Sequence, residues 1–137
     1  MSAPLRVLVL CTGNSARSQI AEALFTHRGG GRFLAESAGS RPAARVNPYA
    51  VRVLAEAGIA WEGRVPRSME GLERQAWDLV ITVCDNAKEA CPFFPGARML
   101  HWGMPDPADV DGDDERRLDA FRATCRALER RIAEFTP

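Results

Sequence analysis

The chain has 137 residues, of which 46% are hydrophobic and 26% charged, a composition typical of a globular protein and most simply of one domain over residues 1–137. Its 18 basic residues balance its 18 acidic residues, so the net charge does not indicate binding to nucleic acid or to a membrane surface. We find no membrane-spanning apolar run and no secretion signal, and we expect a cytoplasmic monomer whose four cysteines are reduced.

The first half of the chain alternates strand and helix patterns. An apolar run predicts a strand over residues 5–10, and a helix follows over 16–27 until three glycines end it. A second, short strand is predicted over residues 33–36. Asn47 and Pro48 are typical of an N-cap and a first helical position, and Gly58 is expected to end that second helix.

The second half continues the alternation. A weak helix is predicted over residues 67–75, an apolar strand over 79–83 and a short fourth strand over 99–100. The last helix is expected to start near Asp113, with Leu118, Phe121, Cys125, Leu128 and Ile132 on its buried face. Alternating strands and helices predict a parallel sheet with helices on both faces. Ligands bind beyond the carboxyl ends of such strands, so Cys11, Ser37 and Cys84 are expected on one rim.

The segment from Cys11 to Ser18 joins the first strand to the first helix. Backbone N–H groups of such a loop converge with the helix N-terminus on one point and bind an anion there. At that point Cys11 would act as a thiolate nucleophile, Ser18 would stabilise the thiolate, and the planar guanidinium of Arg17 would hold two oxygens of a tetrahedral oxyanion. The predicted oxyanion-binding residues are Thr12, Gly13, Asn14, Ser15, Ala16 and Arg17. The alternative is that Cys11 is a buried packing residue.

Asp106 lies between two prolines, Pro105 and Pro107, which restrict its backbone. A rigid carboxyl group next to an oxyanion pocket suits proton delivery to a leaving oxygen. The alternative interpretation is an acidic turn residue.

Cys84 follows the third strand, and Cys91 comes seven residues later. If a continuous helix joined them, they would lie about 10.5 Å apart along its axis, whereas the Cα atoms of a disulfide lie within about 7 Å. A redox pair here therefore needs a segment that is already non-helical or that unwinds; the alternative is two unrelated core thiols. Cys125 is expected to pack in the core.

No metal or cofactor is expected. The cysteines lack the spacing of a zinc site, and the acidic run over residues 109–115 does not fit a calcium loop. His27 is expected to lie at the end of the first helix and His101 to hydrogen-bond near the end of its strand, without catalytic roles.

Together these motifs resemble the low-molecular-weight tyrosine phosphatase superfamily and, within it, the thioredoxin-coupled arsenate reductases. The resemblance covers nearly the whole chain, and the segments that carry it are residues 9–23, 37–39, 47–48, 82–85, 91–92, 101–103 and 106–108. It implies a flavodoxin-like three-layer sandwich built on a four-stranded parallel sheet. The pair of Cys84 and Cys91, followed by the His-Trp-Gly sequence at 101–103, is the part specific to reductases.

The resemblance also implies a relay of three thiols acting on arsenate, for which phosphate and sulfate would be analogues. Cys11 would attack arsenate while Asp106 protonates the departing oxygen. Cys84 would then attack Cys11 and release arsenite, and Cys91 would attack Cys84. Thioredoxin would reduce the resulting Cys84–Cys91 disulfide, although glutaredoxin or a small thiol could take its place.

Two alternatives remain at this point, namely phosphomonoester hydrolysis by the same loop and a non-enzymatic oxyanion or thiol sensor. Asp106 argues against a sensor, because binding alone needs no proton donor. The tyrosines that phosphatases of this family place after the Asp-Pro pair are missing here, which argues against an aromatic phosphoester. Some family members bind potassium through residues that match Asn14, Glu22 and Ser37 together with an acid. Arg67 aligns with that acid, and its guanidinium is expected to replace the cation.

Overall fold

The computed structural model describes residues 3–135 of the chain. The strands are β1 (Leu5–Cys11), β2 (Phe33–Gly39), β3 (Leu79–Thr82) and β4 (Arg98–His101). The helices are α1 (Arg17–Arg28), α2 (Pro48–Glu56), α3 (Asp85–Ala90) and α4 (Asp114–Glu134), with short 3-10 turns at Leu72–Arg74 and Pro107–Asp109.

The four strands form one parallel sheet in the order β2-β1-β3-β4, as predicted. The chain leaves β1 toward β2 and later returns to the other side of β1 to form β3. This reversal makes the carboxyl ends of β1 and β3 the switch point at which α/β sheets of the flavodoxin type bind their ligands. The two strands are buried at this point, and Leu10 pairs with Thr82.

Helices cover both faces of the sheet, which confirms the predicted three-layer α/β fold. The helix α1 connects β1 to β2, and α3 connects β3 to β4 in the opposite direction across the sheet. Because both crossovers are right-handed, the two helices lie on opposite faces of the sheet. On the α1 face, the ring of Phe25 packs edge-on against Phe33 with centroids 4.9 Å apart and stacks on Trp102 at 5.9 Å. The helix α4 packs against α1 and α2, and its predicted apolar residues are buried.

The predicted helix over residues 67–75 is wrong except for the 3-10 turn at Leu72–Arg74. Two backbone hydrogen bonds join this segment to Gly39 at the end of β2, one from the Gly39 N–H to the Arg67 carbonyl and one from the Met69 N–H to the Gly39 carbonyl. The segment therefore runs alongside β2 as an isolated bridge. Gly71 then adopts a positive φ of 82°, which starts the short turn.

Two further boundaries differ from prediction. The strand β2 continues to Gly39, so Ser37 lies inside the strand, paired with Val9, and not on the rim. The segment between Cys84 and Cys91 is the helix α3, so the non-helical alternative for this pair is wrong in the reduced protein. Within residues 3–135, none of the helices combines the length and the apolar character that crossing a membrane requires.

Candidate active site

The loop between β1 and α1 is held from outside by residues 40–47. Four of its carbonyl groups accept backbone hydrogen bonds of 2.8–3.3 Å from that segment, in the pairs Ser40 to Cys11, Arg41 to Thr12, Ala43 to Gly13 and Asn47 to Ser15. A trans peptide group directs its N–H opposite to its carbonyl. The N–H groups of the loop consequently turn toward its centre, where an anion would bind.

The N-terminus of α1 adds further donors to this centre. Its N-cap residue is Ala16, and no described side chain caps it, so the first N–H groups of the helix remain open to an anion. Gly39 lets β2 approach the loop closely, because a Cβ atom there would collide with the carbonyl oxygen of Thr12 and lie 3.0 Å from the Asn14 nitrogen. Of the predicted oxyanion-binding residues, Thr12 and Arg17 line the cavity at this point, whereas Asn14 is buried beneath it.

The Cys11 side chain lies at the base of the loop and is 3% exposed. Its sulfur lies 2.8 Å from the Ser18 hydroxyl and accepts the Asn14 backbone N–H at 3.2 Å. The Asn14 amide nitrogen donates to the same Ser18 oxygen at 2.8 Å. Because Ser18 accepts that bond, its own proton is free to donate to the sulfur, an arrangement that suits a thiolate.

Asn14 organises the loop from within. It is fully buried and has a φ of 51°, a left-handed conformation that asparagine tolerates better than most residues. Its amide nitrogen also donates to Ser37 at 2.9 Å, and its amide oxygen accepts from the Gln19 side chain and from the Arg67 backbone. The strained backbone is thus over-determined by hydrogen bonds, as functional strain usually is.

A partly buried carboxylate, that of Glu22, lies behind this network. The Ser37 hydroxyl donates to Glu22 at 2.7 Å, and a guanidinium nitrogen of Arg64 lies 3.3 Å from the other Glu22 oxygen. Burial raises the pKa of Glu22, while the bond from Ser37 and the charge of Arg64 oppose the rise.

The expectation that the Arg67 guanidinium takes a cation's place here is wrong. That guanidinium ion-pairs with Glu36, and Arg67 reaches Asn14 only through its backbone N–H. Arg64 is the residue that supplies positive charge to Glu22.

Arg17 and Asp106 lie together at the mouth of the loop. One guanidinium nitrogen of Arg17 donates to the Met104 carbonyl at 2.8 Å, and another lies 3.6 Å from an Asp106 oxygen. The second Asp106 oxygen accepts the Ala108 N–H at 3.0 Å and so starts the 3-10 turn at Pro107. The carboxyl group is therefore fixed in orientation, with one oxygen facing the guanidinium.

Cys84 lies beside the same loop. Its sulfur is 3.4 Å from the Thr12 hydroxyl and accepts the Ala87 N–H at 3.4 Å, so Cys84 also caps α3. Cys91 lies at the other end of α3, half-buried, and its thiol donates to the Pro92 carbonyl. Burial raises the pKa of Cys91. The structure thus brings Cys84 next to the anion loop but separates it from Cys91 by a helix.

A cavity of about 820 Å³ opens at this point, lined in part by Thr12, Arg17, Cys84 and Asp106. None of the described lining residues is aromatic. Among residues 3–135, no group of three or more His, Cys, Asp or Glu side chains is placed to hold a metal ion.

Sequence reasoning missed the support of the site. Gln19 holds both the carbonyl and the side chain of Asn14, and the Trp61 indole holds Gln19 at 2.9 Å. Gln19 lies on the buried side of α1, and a polar residue among the apolar positions of a helix was the available signal. The role of residues 40–47 had no local signal, because this segment contacts the loop through its own backbone groups.

The fold and the loop define an α/β protein with a buried cysteine at the base of the loop between β1 and α1. The family described as low molecular weight phosphotyrosine protein phosphatase matches residues 6–136, so the chain belongs to this family and the resemblance predicted from sequence is confirmed. Within it, the chain is 37% identical to an arsenate reductase of Halalkalibacterium halodurans and 34% identical to one of Bacillus subtilis, each over 130 residues that make up 94% of this chain and 93% of the relative.

Solved structures agree with this placement. An arsenate reductase in a phosphate-binding state superposes with a TM-score of 0.79 at 27% identity, covering 94% of each chain. A thioredoxin-dependent arsenate reductase of Corynebacterium glutamicum gives a TM-score of 0.70 at 29% identity over 97% of this chain, which spans 64% of that longer chain. A tyrosine phosphatase of Erwinia amylovora, at 22% identity and a TM-score of 0.76, shares the fold.

Proposed function

We propose that this protein reduces arsenate to arsenite through a disulfide relay of Cys11, Cys84 and Cys91, with thioredoxin as the reductant. The observation that carries the proposal is the position of a second thiol, Cys84, against the Thr12 hydroxyl of the anion loop. A phosphatase needs only the first thiol and water, whereas a reductase needs a resolving thiol at this place. The identity to arsenate reductases over 94% of the chain supports the same choice.

In the first step the Cys11 thiolate attacks the arsenic atom of arsenate. Arg17 and the loop N–H groups hold the remaining oxygens, and Asp106 donates a proton so that the displaced oxygen leaves as water. The product is an arsenic(V) thioester on Cys11, and no electron has yet been transferred.

In the second step the Cys84 thiolate attacks the sulfur of Cys11. A sulfur–sulfur bond forms, the electron pair of the sulfur–arsenic bond passes to arsenic, and arsenite leaves as arsenic(III). Two thiols have been oxidised by two electrons and arsenic reduced by two. The Ala87 N–H donates to the Cys84 sulfur and the Thr12 hydroxyl lies 3.4 Å from it, and these two contacts hold the sulfur at the edge of the loop for this attack.

In the third step Cys91 attacks the sulfur of Cys84, and Cys11 leaves as the thiolate. Cys91 cannot reach Cys84 along an intact helix, so α3 must unwind. Burial raises the pKa of Cys91 while α3 is folded, which disfavours the attacking thiolate before the helix unwinds. Thioredoxin then returns both sulfurs to thiols, with its own dithiol oxidised in exchange.

Phosphomonoester hydrolysis is the second candidate, because the same loop can hold a phosphoryl group and water can resolve the intermediate. We expect it as a weak side activity only. The described residues that line the cavity offer no aromatic wall for a phosphotyrosine ring.

The decisive variant is Cys84→Ser, with Cys125→Ser as the matched control because Cys125 lies on α4 away from the site. Arsenate reduction by Cys84→Ser with thioredoxin should stop within the first turnover, while hydrolysis of p-nitrophenyl phosphate persists. Mass spectrometry of the arsenate-treated Cys91→Ser variant should find the Cys11–Cys84 disulfide. If Cys84→Ser keeps multi-turnover arsenate reduction, the relay is wrong.

Asp106→Asn tests the proton donor. We expect kcat for arsenate reduction to fall by about 10²–10⁴-fold, as is usual when a general acid is removed. Sulfate or phosphate should still protect Cys11 from alkylation in this variant, because the loop that holds the anion is intact. Replacing thioredoxin by glutaredoxin or glutathione in the same assay identifies the reductant, and full turnover with glutathione alone would contradict the thioredoxin assignment.

A further inference from the structure

His101, at the end of β4, joins two elements that carry the proposed relay. One ring nitrogen lies 2.7 Å from the hydroxyl of Thr82, the last residue of β3, and the other lies 3.1 Å from a carboxylate oxygen of Asp85, the first residue of α3. The imidazole therefore bridges the strand before Cys84 to the helix after it.

The ring is held firmly in this position. The backbone that follows β4 runs beside the end of β3, with a hydrogen bond of 2.8 Å from the Trp102 N–H to the Thr82 carbonyl. Gly103 leaves room for the ring, because a Cβ atom there would lie 2.7 Å from the His101 Nε2 atom. The side chain of His101 is only 25% exposed.

The helix α3 has more contacts at its start than along its last residues, although Cys91 at its end packs partly against the core. At the start, Asp85 meets His101, the Cys84 sulfur accepts the Ala87 N–H, and Ala87 is fully buried. Toward the end, residues 88–90 are exposed, and Phe93 beyond them is 79% exposed. The next buried side chain is Phe94, at 2% exposure.

We propose that His101 is a positioning residue that favours the helical dithiol form of the Cys84–Cys91 segment over its disulfide form. This inference rests on the proposed function, since it concerns the same cysteine pair. The contact of Asp85 with His101 belongs to the helix, and closing a disulfide between the two ends of α3 requires the chain between them to leave the helix. The contact between Asp85 and His101 therefore stabilises the dithiol form of Cys84 and Cys91 relative to the disulfide form. As a result the pair is harder to oxidise, and its disulfide is easier to reduce.

Removing the bridge should shift the thiol–disulfide equilibrium toward the disulfide. We expect His101→Phe, which keeps an aromatic ring and loses both hydrogen bonds, to make the pair about three- to tenfold harder to reduce, where tenfold corresponds to 29.6 mV. The solvent exposure of Asp85 limits the size of the effect. Asp85→Ala should give a similar shift and, as a change at an exposed position, is expected to fold.

The test is equilibration of the full-length protein with defined ratios of reduced and oxidised dithiothreitol, in a Cys11→Ser background that leaves Cys84 and Cys91 to pair. Peptide mapping by mass spectrometry measures the fraction of this disulfide. His27→Phe is the matched control, since His27 lies in the last turn of α1 against Trp61, and it should leave the equilibrium unchanged.

The double variant of His101→Phe with Asp85→Ala completes the cycle. If the bridge acts as proposed, the double variant shifts no further than either single variant. Additive shifts, or an unchanged equilibrium in both single variants, would overturn the role of His101 while leaving the relay intact. If mass spectrometry finds no Cys84–Cys91 disulfide at all under oxidising conditions, the proposed relay itself fails, and the inference fails with it.

Discussion

Replacing Ser37 by alanine tests the hydrogen-bond network beneath the anion loop. Ser37 is 1% exposed, donates to the carboxylate of Glu22 at 2.7 Å and accepts from the amide of Asn14 at 2.9 Å. Ser37→Ala removes both bonds without adding volume. It leaves Glu22 without its short charge-assisted donor and leaves one N–H of Asn14 buried without an acceptor.

The size of the effect follows from these two losses. A hydrogen bond to a charged group contributes about 1.5–3 kcal/mol, and a buried donor left unsatisfied costs about 1–3 kcal/mol. Because the losses share one site and are not additive, we expect the free energy of unfolding to fall by about 2–4 kcal/mol. For a chain of this length that corresponds to a decrease in Tm of roughly 10 °C.

The pH dependence of this loss identifies its cause. Burial already raises the pKa of Glu22 in the folded protein above the ordinary value of 4.5, and the bond from Ser37 opposes the rise. A carboxyl group with a raised folded pKa contributes stability below its unfolded pKa and loses it as the pH rises through the folded pKa. Without Ser37 the folded pKa rises further, so the variant loses more stability than the natural protein at high pH.

Urea unfolding followed by circular dichroism measures this difference. The destabilisation by Ser37→Ala should be larger at a pH where Glu22 is charged than at an acidic pH where Glu22 is protonated. Ser68→Ala is the control, because that exposed hydroxyl accepts only a backbone N–H and its removal should have little effect. A destabilisation of the same size at both pH values would refute the assignment of the network to a charged Glu22.

Three further outcomes follow from the same contacts. Gly39→Ala should lower kcat/KM for arsenate at least tenfold, because its Cβ atom collides with the loop backbone. Gly13→Ala should keep most of the activity, because a Cβ atom there would lie 3.7 Å from the nearest neighbouring atom, the Ala43 Cβ. Steady-state kinetics of both variants tests this difference. Burial and the charge of a nearby carboxylate raise the pKa of Cys125 to about 11, so brief iodoacetamide treatment of the folded protein should leave Cys125 unmodified in peptide maps. Arg64 already supplies charge to Glu22, so exchanging potassium for sodium should change neither Tm nor turnover, and a potassium-dependent rise in either would contradict this role.

The sequence was sufficient for those features whose signal is local. The strand before Cys11 is a continuous apolar run, and the loop that follows carries its anion-binding chemistry within eight neighbouring residues. The N-cap of α2 was likewise predicted by a short pattern, and Asn47 does accept the N–H of Tyr49. Short-range patterns of this kind predict the structure correctly because the residues involved interact with their neighbours in the chain.

Features that depend on distant partners could not be predicted from such patterns. Residues 37–39 are small and give no strand signal, yet they extend β2 because β1 offers a paired backbone to Gly39. Residues 67–75 have the composition of a helix, but Arg67 and Met69 form backbone hydrogen bonds with Gly39 at the end of β2. The family resemblance favoured the Arg67 guanidinium in place of a cation near Asn14, Glu22 and Ser37, but in the structure that guanidinium pairs with Glu36 and Arg64 pairs with Glu22.

In the proposed mechanism, the choice between reduction and hydrolysis depends on which group first attacks the covalent intermediate on Cys11. Cys84 attacks its sulfur, whereas water attacks the phosphorus or arsenic atom bound to that sulfur. A thiol held next to a reacting atom has an effective concentration far above that of any free thiol, and Cys84 is fixed at the edge of the loop by Thr12 and by its capping of α3. Attack at sulfur also requires the central atom to accept two electrons, which arsenic(V) does readily and phosphorus(V) does not. The same loop and the same resolving thiol would therefore reduce arsenate yet leave a phosphorylated Cys11 to water. On this reasoning, Cys84→Ser removes arsenate turnover without raising or lowering phosphate-ester hydrolysis. A marked gain in hydrolysis would mean instead that Cys84 competes with water for the phosphorylated intermediate.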